Sequence, residues 1–197
     1  MSVNRPPMPG SYTLTAPILT ERLAIRAYTM DDVPFIHDLK SRPDVVRWLY
    51  EDVESESEVV TRVSRRMTQT RLLQPGDGLG LLVETRTDHR PVGTVTLEWH
   101  RSPHMQGEVG YIVHPDHQGR GYAVEAAREM LRIGFEAVAL HRIVGRLEAR
   151  NQASARVLER LHMRFEGHFR ENEWVKDEWQ DEIVYAMLAR EWEALKA

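Results

Sequence analysis

The stretch EVGYIVHPDHQGRGYAVEAAREMLRIGF, Glu108–Phe135, decides how this chain is read. It opens as a short strand-like run and closes with Ala126, Ala127, Met130, Leu131, Gly134 and Phe135 on one helical stripe. Between the two lies a loop in which Gly119 and Gly121 flank Arg120. A loop that opens a helix turns backbone N–H groups outward at the positive end of the helix dipole, which suits an anion. The glycines let backbone approach a ligand closely, and Gln118 and Arg120 add side-chain donors. No acidic residue stands between Gln118 and Val124. Each hydrogen bond to a charged oxygen contributes about 1.5–3 kcal/mol, so a few of them hold a pyrophosphate. A G-x-G alone is equally compatible with a tight strand-to-helix turn. The two common nucleotide loops do not fit: there is no G-K-[ST] ending, and Val124 stands where G-x-G-x-x-G needs its third glycine.

The 197 residues are enough for one domain with a substantial core, and no repeat or long linker divides them. Cysteine is absent, which excludes disulfides, thiolate metal sites and a cysteine nucleophile and fits a reducing, cytoplasmic location. A net charge of −4 does not favour nucleic acid. No apolar run approaches the roughly 20 residues that span a bilayer. Residues 1–16, rich in proline, read as a flexible tail ahead of a single domain over 17–197.

The rest of the chain alternates between the two periods. Glu21–Tyr28 reads as a strand, and Thr29 with Asp32 as a capping box before a helix carrying Val33, Ile36 and Leu39. A second helix is expected from Ser57 to Leu72, with Val59, Val60, Val63 and Met67 on one face. Gly80–Thr85 and Val92–Trp99 read as a hairpin around TDHR, with Glu108–Val113 as the next strand. After the long helix come a strand at His141–Ala149, a helix at Ala153–Leu161 and a closing hairpin through WVKDEWQDEIVYAML. This is a mixed α+β order around one strand–loop–helix–strand unit.

Gln118, Gly121 and Ala123 spell Q-x-x-G-x-A directly after a strand. With TERLAIR near the start, EVGY, YAVEA, NQASARVLERL, FEGHFRE and DEIVYAMLAREW in this order, the chain resembles the GCN5-related N-acetyltransferases (GNAT) of the RimJ/RimL type. The resemblance implies a mixed, mostly antiparallel central sheet with helices on both faces. Two splayed parallel strands would hold acyl-CoA, and acetyl-CoA would serve as cosubstrate without a metal. It implies transfer to a primary amine, first the N-terminal α-amino group of a protein or peptide. A polyamine, amino acid, aminoglycoside or other small amine is the alternative, as is an acyl-CoA-binding domain without turnover. The resemblance also suggests a homodimer, and nothing in the sequence marks its interface.

Carried over residue by residue, the resemblance gives the pantetheine arm the backbone of Ile112, Val113 and His114. It gives the pyrophosphate Gln118, Gly119, Arg120, Gly121, Tyr122 and Ala123. Asn151 matches the asparagine that fixes the arm, and Ser154, one helical turn beyond it, is placed to reach the cofactor or its thiol; helix capping is the alternative for this pair. Glu108 is the first candidate base, with Glu98 second, each equally readable as a solvated strand residue. A backbone N–H near Gly110 or Tyr111 would polarise the thioester carbonyl. The chain departs from the pattern at Leu158, where many relatives place a tyrosine acid, and at Leu161-His162-Met163 in place of Leu-Gly-Phe. Ser154 or Tyr111 is left to protonate the thiolate.

The acidic run EDVESESE, Glu51–Glu58, either attracts a cationic acceptor or is a solvated helix start. Trp48, Tyr50, Trp99 and Trp174 either line an acceptor cleft or pack elsewhere. His114 with His117, and His100 with His104, straddle prolines and lack metal-ligand spacing, so no metal is expected.

Overall fold

The computed structural model describes residues 9–101 and 104–196. Strands β1 (Tyr12–Thr13), β2 (Ile18–Leu19) and β3 (Leu23–Arg26) open the chain, followed by helices α1 (Val33–Ser41), α2 (Pro43–Val46) and α3 (Glu56–Arg66). Next come β4 (Arg71–Leu72), β5 (Gly78–Thr85), β6 (Pro91–Trp99) and β7 (Gln106–Val113). The glycine loop leads into α4 (Tyr122–Arg132), then β8 (Arg142–Glu148), α5 (Gln152–Arg160), β9 (Arg164–Val175), β10 (Glu178–Leu188) and α6 (Ala189–Ala194). One eight-stranded sheet runs in the order β2-β3-β5-β6-β7-β8-β10-β9. Among the described residues its neighbours are antiparallel except β7 and β8.

Alternation along the strands makes two apolar faces. Leu23, Ile25, Leu81, Val83, Val95, Leu97, Val109 and Ile143 meet Ala126, Ala127, Met130 and Leu131 of α4 and Leu158 of α5 in the main core. On the other face Leu82 and Tyr28 pack against Ile36 of α1 and Val59 and Val63 of α3. Helices therefore cover both sides of the mixed sheet, as the resemblance implied, and the chain is α+β.

Several boundaries differ from the sequence reading. The helix expected to reach Leu72 ends at Arg66, and β4 pairs Leu72 with Tyr12 and Arg71 with Thr13. Leu72 is fully buried there. That burial contributes about 1.5–3 kcal/mol, more than the ~0.7 kcal/mol that separates ordinary residues in helix propensity. Of the residues expected as a flexible tail, 1–8 lie outside the described part, while Gly10 N–H donates to the Val138 carbonyl at 3.0 Å and Leu14 N–H to the Thr70 carbonyl at 2.9 Å. A β-carbon on Gly10 would sit 1.9 Å from the Ala137 oxygen, so only glycine permits this approach.

The strand expected over Glu21–Tyr28 is confined to Leu23–Arg26. The capping box holds, with Asp32 accepting from Thr29 N–H at 2.7 Å. The closing hairpin is present as β9–β10, turned by Lys176 and Asp177, both with positive φ (52° and 60°) as a type I′ turn requires.

Candidate active site

β7 and β8 are bonded to each other only from Gln106 to Glu108 on one strand and Arg142 to Val144 on the other. Beyond Glu108 the two strands diverge, β7 continuing to Val113 beside β6 and β8 to Glu148 beside β10. The wedge between them opens a cleft of about 840 Å³, lined by Val109–Val113, Gly145–Glu148, the glycine loop and the start of α5. A strand edge without a neighbour is where an extended, amide-bearing ligand fits as a further strand.

At the wide end of the wedge stands the glycine loop. Gln118 Nε2 donates to the Val113 carbonyl at 3.0 Å and closes the loop on its own strand. Gly119 and Gly121 have φ of 75° and 82°, and Gly121 precedes the first residue of α4. Around a β-carbon built on Gly119 no atom lies within 4 Å, so the space above it is open. Glu125, the acid in the first turn of α4, is turned away from this mouth. It accepts from Thr20 Oγ1 at 2.5 Å and from Arg22 N and Nε at 2.9 and 2.8 Å. Arg22 Nη1 also donates to the Arg120 carbonyl at 2.9 Å, so TERLAIR near the start of the chain braces the loop. The helix N-terminus thus keeps its positive field for a ligand.

Two residues of the predicted contact set lie outside the cleft lining. His114 is buried, its Nε2 2.7 Å from Asp38 of α1, and its N–H donates to the Val92 carbonyl at 2.9 Å. It ties the loop to α1 and lies outside the cleft lining. The Arg120 guanidinium donates to the Asp116 carbonyl at 3.2 Å and is likewise outside the lining. Ile112, Val113, Gln118, Gly119, Gly121, Tyr122, Ala123, Asn151 and Ser154 all line the cleft.

Asn151 Oδ1 accepts from Ser154 N–H at 3.1 Å, so Asn151 caps α5 while facing the cleft. The Tyr111 hydroxyl lies 3.0 Å from Ser154 Oγ and donates to the Ser154 carbonyl at 3.0 Å. Burial pushes the Tyr111 phenol up, so it stays protonated, although the Ser154 bond opposes the shift. Leu158, the residue in the tyrosine position, is buried against Gly145. The hydroxyls of Tyr111 and Ser154 thus lie together in the cleft, Ser154 one helical turn before Leu158.

The opposite face of the sheet carries a cluster of charged side chains. Glu108 Oε2 is 3.4 Å from His100 Nε2 and 3.3 Å from Arg146 Nε, and Glu98 stands directly across on β6. Burial pushes the Glu108 carboxyl up, Arg146 and His100 pull it down, and Glu98 pushes it up again. Arg146 lines the cleft and Glu108 stands just behind it. The sequence reading missed Glu182, which bonds Arg146 at 3.2 Å, and Glu173, which lines the cleft beside Tyr50. Burial and the Glu173 carboxylate both push the Tyr50 phenol up. No local motif marks these glutamates, because the β9–β10 hairpin brings them in from the far end of the chain.

The acidic run is largely consumed internally. Glu51 pairs with Lys40 and Arg62, Glu54 with Arg62, and Glu58 with its own cap at Ser55. Trp48 and Tyr50 line the cleft, whereas Trp99 is core and Trp174 packs edge-on against Trp179 outside it. Among the described residues no group of three or more His, Cys, Asp or Glu is placed to hold a metal ion, and no helix is long and apolar enough to cross a membrane.

Comparison with known proteins agrees with this geometry. The family described as "Acetyltransferase (GNAT) domain" matches residues 22–164. An uncharacterized N-acetyltransferase of Bacillus subtilis, YnaD, is 30% identical over 175 residues, covering 89% of this chain and 98% of its own. The spermidine N-acetyltransferase of Vibrio cholerae, solved with CoA and spermine, superposes with a TM-score of 0.75 at 23% identity, covering 88% of this chain and 99% of its own. RimL, a ribosomal L7/L12 α-N-protein acetyltransferase solved with coenzyme A, gives a TM-score of 0.75 at 22% identity over 88% of this chain and 98% of its own. The wedge, the glycine loop and these matches place the chain in the GNAT family of acetyl-CoA-dependent N-acetyltransferases.

Proposed function

We propose that this enzyme acetylates a primary amine carried on a small cationic acceptor, with the amine entering from the Glu108 side of the wedge. The observation that carries the reading is the excess of carboxylate on that side. Glu108 and Glu182 flank one guanidinium, that of Arg146, and Glu173 lines the same cleft beside Tyr50. A peptide N-terminus brings one positive charge, and a polyamine brings several. The α-amino acceptor favoured from sequence is the second reading, supported by its low demand on a base. Its pKa of about 7.7–8.0 leaves roughly a tenth of it neutral at pH 7, whereas an amine at about 10.4 costs 4–5 kcal/mol to deprotonate.

Acetyl-CoA supplies the acetyl group as a thioester. In this reading the glycine loop and the start of α4 hold its pyrophosphate, and Ile112 and Val113 bond the pantetheine arm through their backbone. The N–H of Gly110 or Tyr111 faces the developing oxyanion. Glu108 takes the amine's proton through water, and Ser154, backed by Tyr111, donates to the departing thiolate. Glu173, held by Tyr50, meets a second ammonium of the acceptor.

The test is thiol release from acetyl-CoA with polyamines, peptides beginning with Ser, Ala or Met, free amino acids and aminoglycosides. Turnover highest with polyamines supports the first reading, and turnover confined to peptides replaces it with the second. Confirmed CoA binding without thiol release across the panel overturns both.

A further inference from the structure

Behind the acceptor side of the cleft runs a chain of charged groups of which the proposed chemistry uses only one. His100 Nε2 and Arg146 Nε approach the same oxygen of Glu108, at 3.4 and 3.3 Å. Arg146 Nη1 lies 3.2 Å from each oxygen of Glu182. Asn172 Nδ2 donates to Glu182 Oε2 at 3.2 Å from the neighbouring strand. Glu182 is only 4% exposed, and a carboxylate so buried is stable only when paired. Its partner is the Arg146 side chain, which is 41% exposed.

Two carboxylates thus share one guanidinium, and the planar fork presents Nε to one and Nη1 to the other. A base must hold a proton well enough to remove it from an amine. An arginine devoted to a single carboxylate lowers its pKa by about 1–3 units, which would leave Glu108 a poor base. Glu182 prevents that by engaging Arg146 from the far side. We infer that Glu182 is a positioning residue for acetyl transfer: it keeps Arg146 shared and so preserves the basicity of Glu108. The inference rests on the proposed role of Glu108 as base.

The groups facing Glu108 fix the signs. Glu98 from β6 favours a proton on it, and Glu182 from β10 acts the same way as a like charge on the far side of the shared Arg146. Arg146 from β8 and a charged His100 disfavour one, and Tyr50 is neutral. Glu182→Gln keeps the shape, removes an anion and leaves Arg146 to Glu108 alone, so it lowers the proton affinity of Glu108. Arg146→Met removes the cation and raises it, and the double variant Glu182→Gln/Arg146→Met, which leaves no buried carboxylate without its partner, moves it the same way. Opposite displacements by two residues in mutual contact are the signature of an electrostatic role; lost packing lowers activity without moving a titration.

The experiment uses the full chain with ¹³C-labelled glutamate carboxyls, the Glu108 resonance being the one missing in Glu108→Gln. Its titration midpoint and the acid limb of kcat at saturating acetyl-CoA are followed together. Glu182→Gln is expected to shift both down by roughly 0.5–1 pH unit, and Arg146→Met to shift both up by at least as much. A midpoint unmoved by Glu182→Gln, or moved in the same direction by both changes, overturns the inference. Midpoints that move as expected while the acid limb stays fixed, and persists in Glu108→Gln, overturn instead the reading of Glu108 as the base.

Discussion

Gly119→Ala separates the cost of folding the glycine loop from the cost of filling it. In the protein alone the new methyl meets no atom within 4 Å, so the change acts through the backbone alone, at a φ of 75°. Placing a β-carbon in the left-handed region costs about 1–2 kcal/mol. For a chain of this length 1 kcal/mol lowers Tm by about 2–4 °C, so a drop of roughly 2–8 °C is expected. The effect on CoA is larger if the open space above Gly119 is where the pyrophosphate lies. A methyl there displaces the anion from the N–H groups of the helix start, and each charged hydrogen bond lost costs about 1.5–3 kcal/mol. Two such bonds correspond to a weakening of about 150-fold or more, each 1.4 kcal/mol being tenfold. Calorimetric titration with CoA beside a thermal melt reads both numbers from one preparation. A melt lowered as expected with CoA affinity changed less than about threefold would falsify the assignment of the loop to the pyrophosphate.

Ser154→Ala is expected to lower kcat by about 10²-fold while leaving CoA affinity unchanged; equal kcat in the variant removes Ser154 and its bond to Tyr111 from the mechanism. Glu173→Gln should raise KM for a diamine several-fold and leave KM for a monoamine of similar length alone, a contrast lost if Glu173 only supports Tyr50. The Arg142 bond, opposed by burial, holds the Glu166 carboxyl below its usual range. Its stabilising effect is therefore present above the ordinary glutamate pKa of about 4.3 and is lost as pH falls through the lower folded value. The Tm gap between the wild type and Glu166→Gln should be constant near neutrality and close on acidification; a gap that widens in acid contradicts the assignment.

The strands around the loop and the long helix were legible because each buries one face and so carries a period of its own. The helix end at Arg66 was not, since what stops it is the pairing of Leu72 with Tyr12, a contact between segments far apart in sequence. The loop's backbone groups could be named from Gly119 and Gly121, because glycine placement is a local matter. Arg120 and His114 could not be placed: their side chains turn to Asp116 and Asp38, and only the fold decides which partner lies within reach. Glu182 and Glu173 were invisible for the same reason, being ordinary glutamates until β10 sets Glu182 beside Arg146 and the hairpin brings Glu173 to the cleft.

The short register between β7 and β8 has a mechanical side. Within the sheet, the ladder between the plate β2–β3–β5–β6–β7 and the plate β8–β10–β9 is only three residue pairs long. A pantetheine arm lying in the wedge would act as a splint across that seam, adding bonds where the sheet has fewest. Amides of β9 and β10, remote from the glycine loop, should then exchange with deuterium more slowly once CoA is bound. The cosubstrate would be the missing rib of the sheet, and each release of product would return the enzyme to its looser, two-plate form.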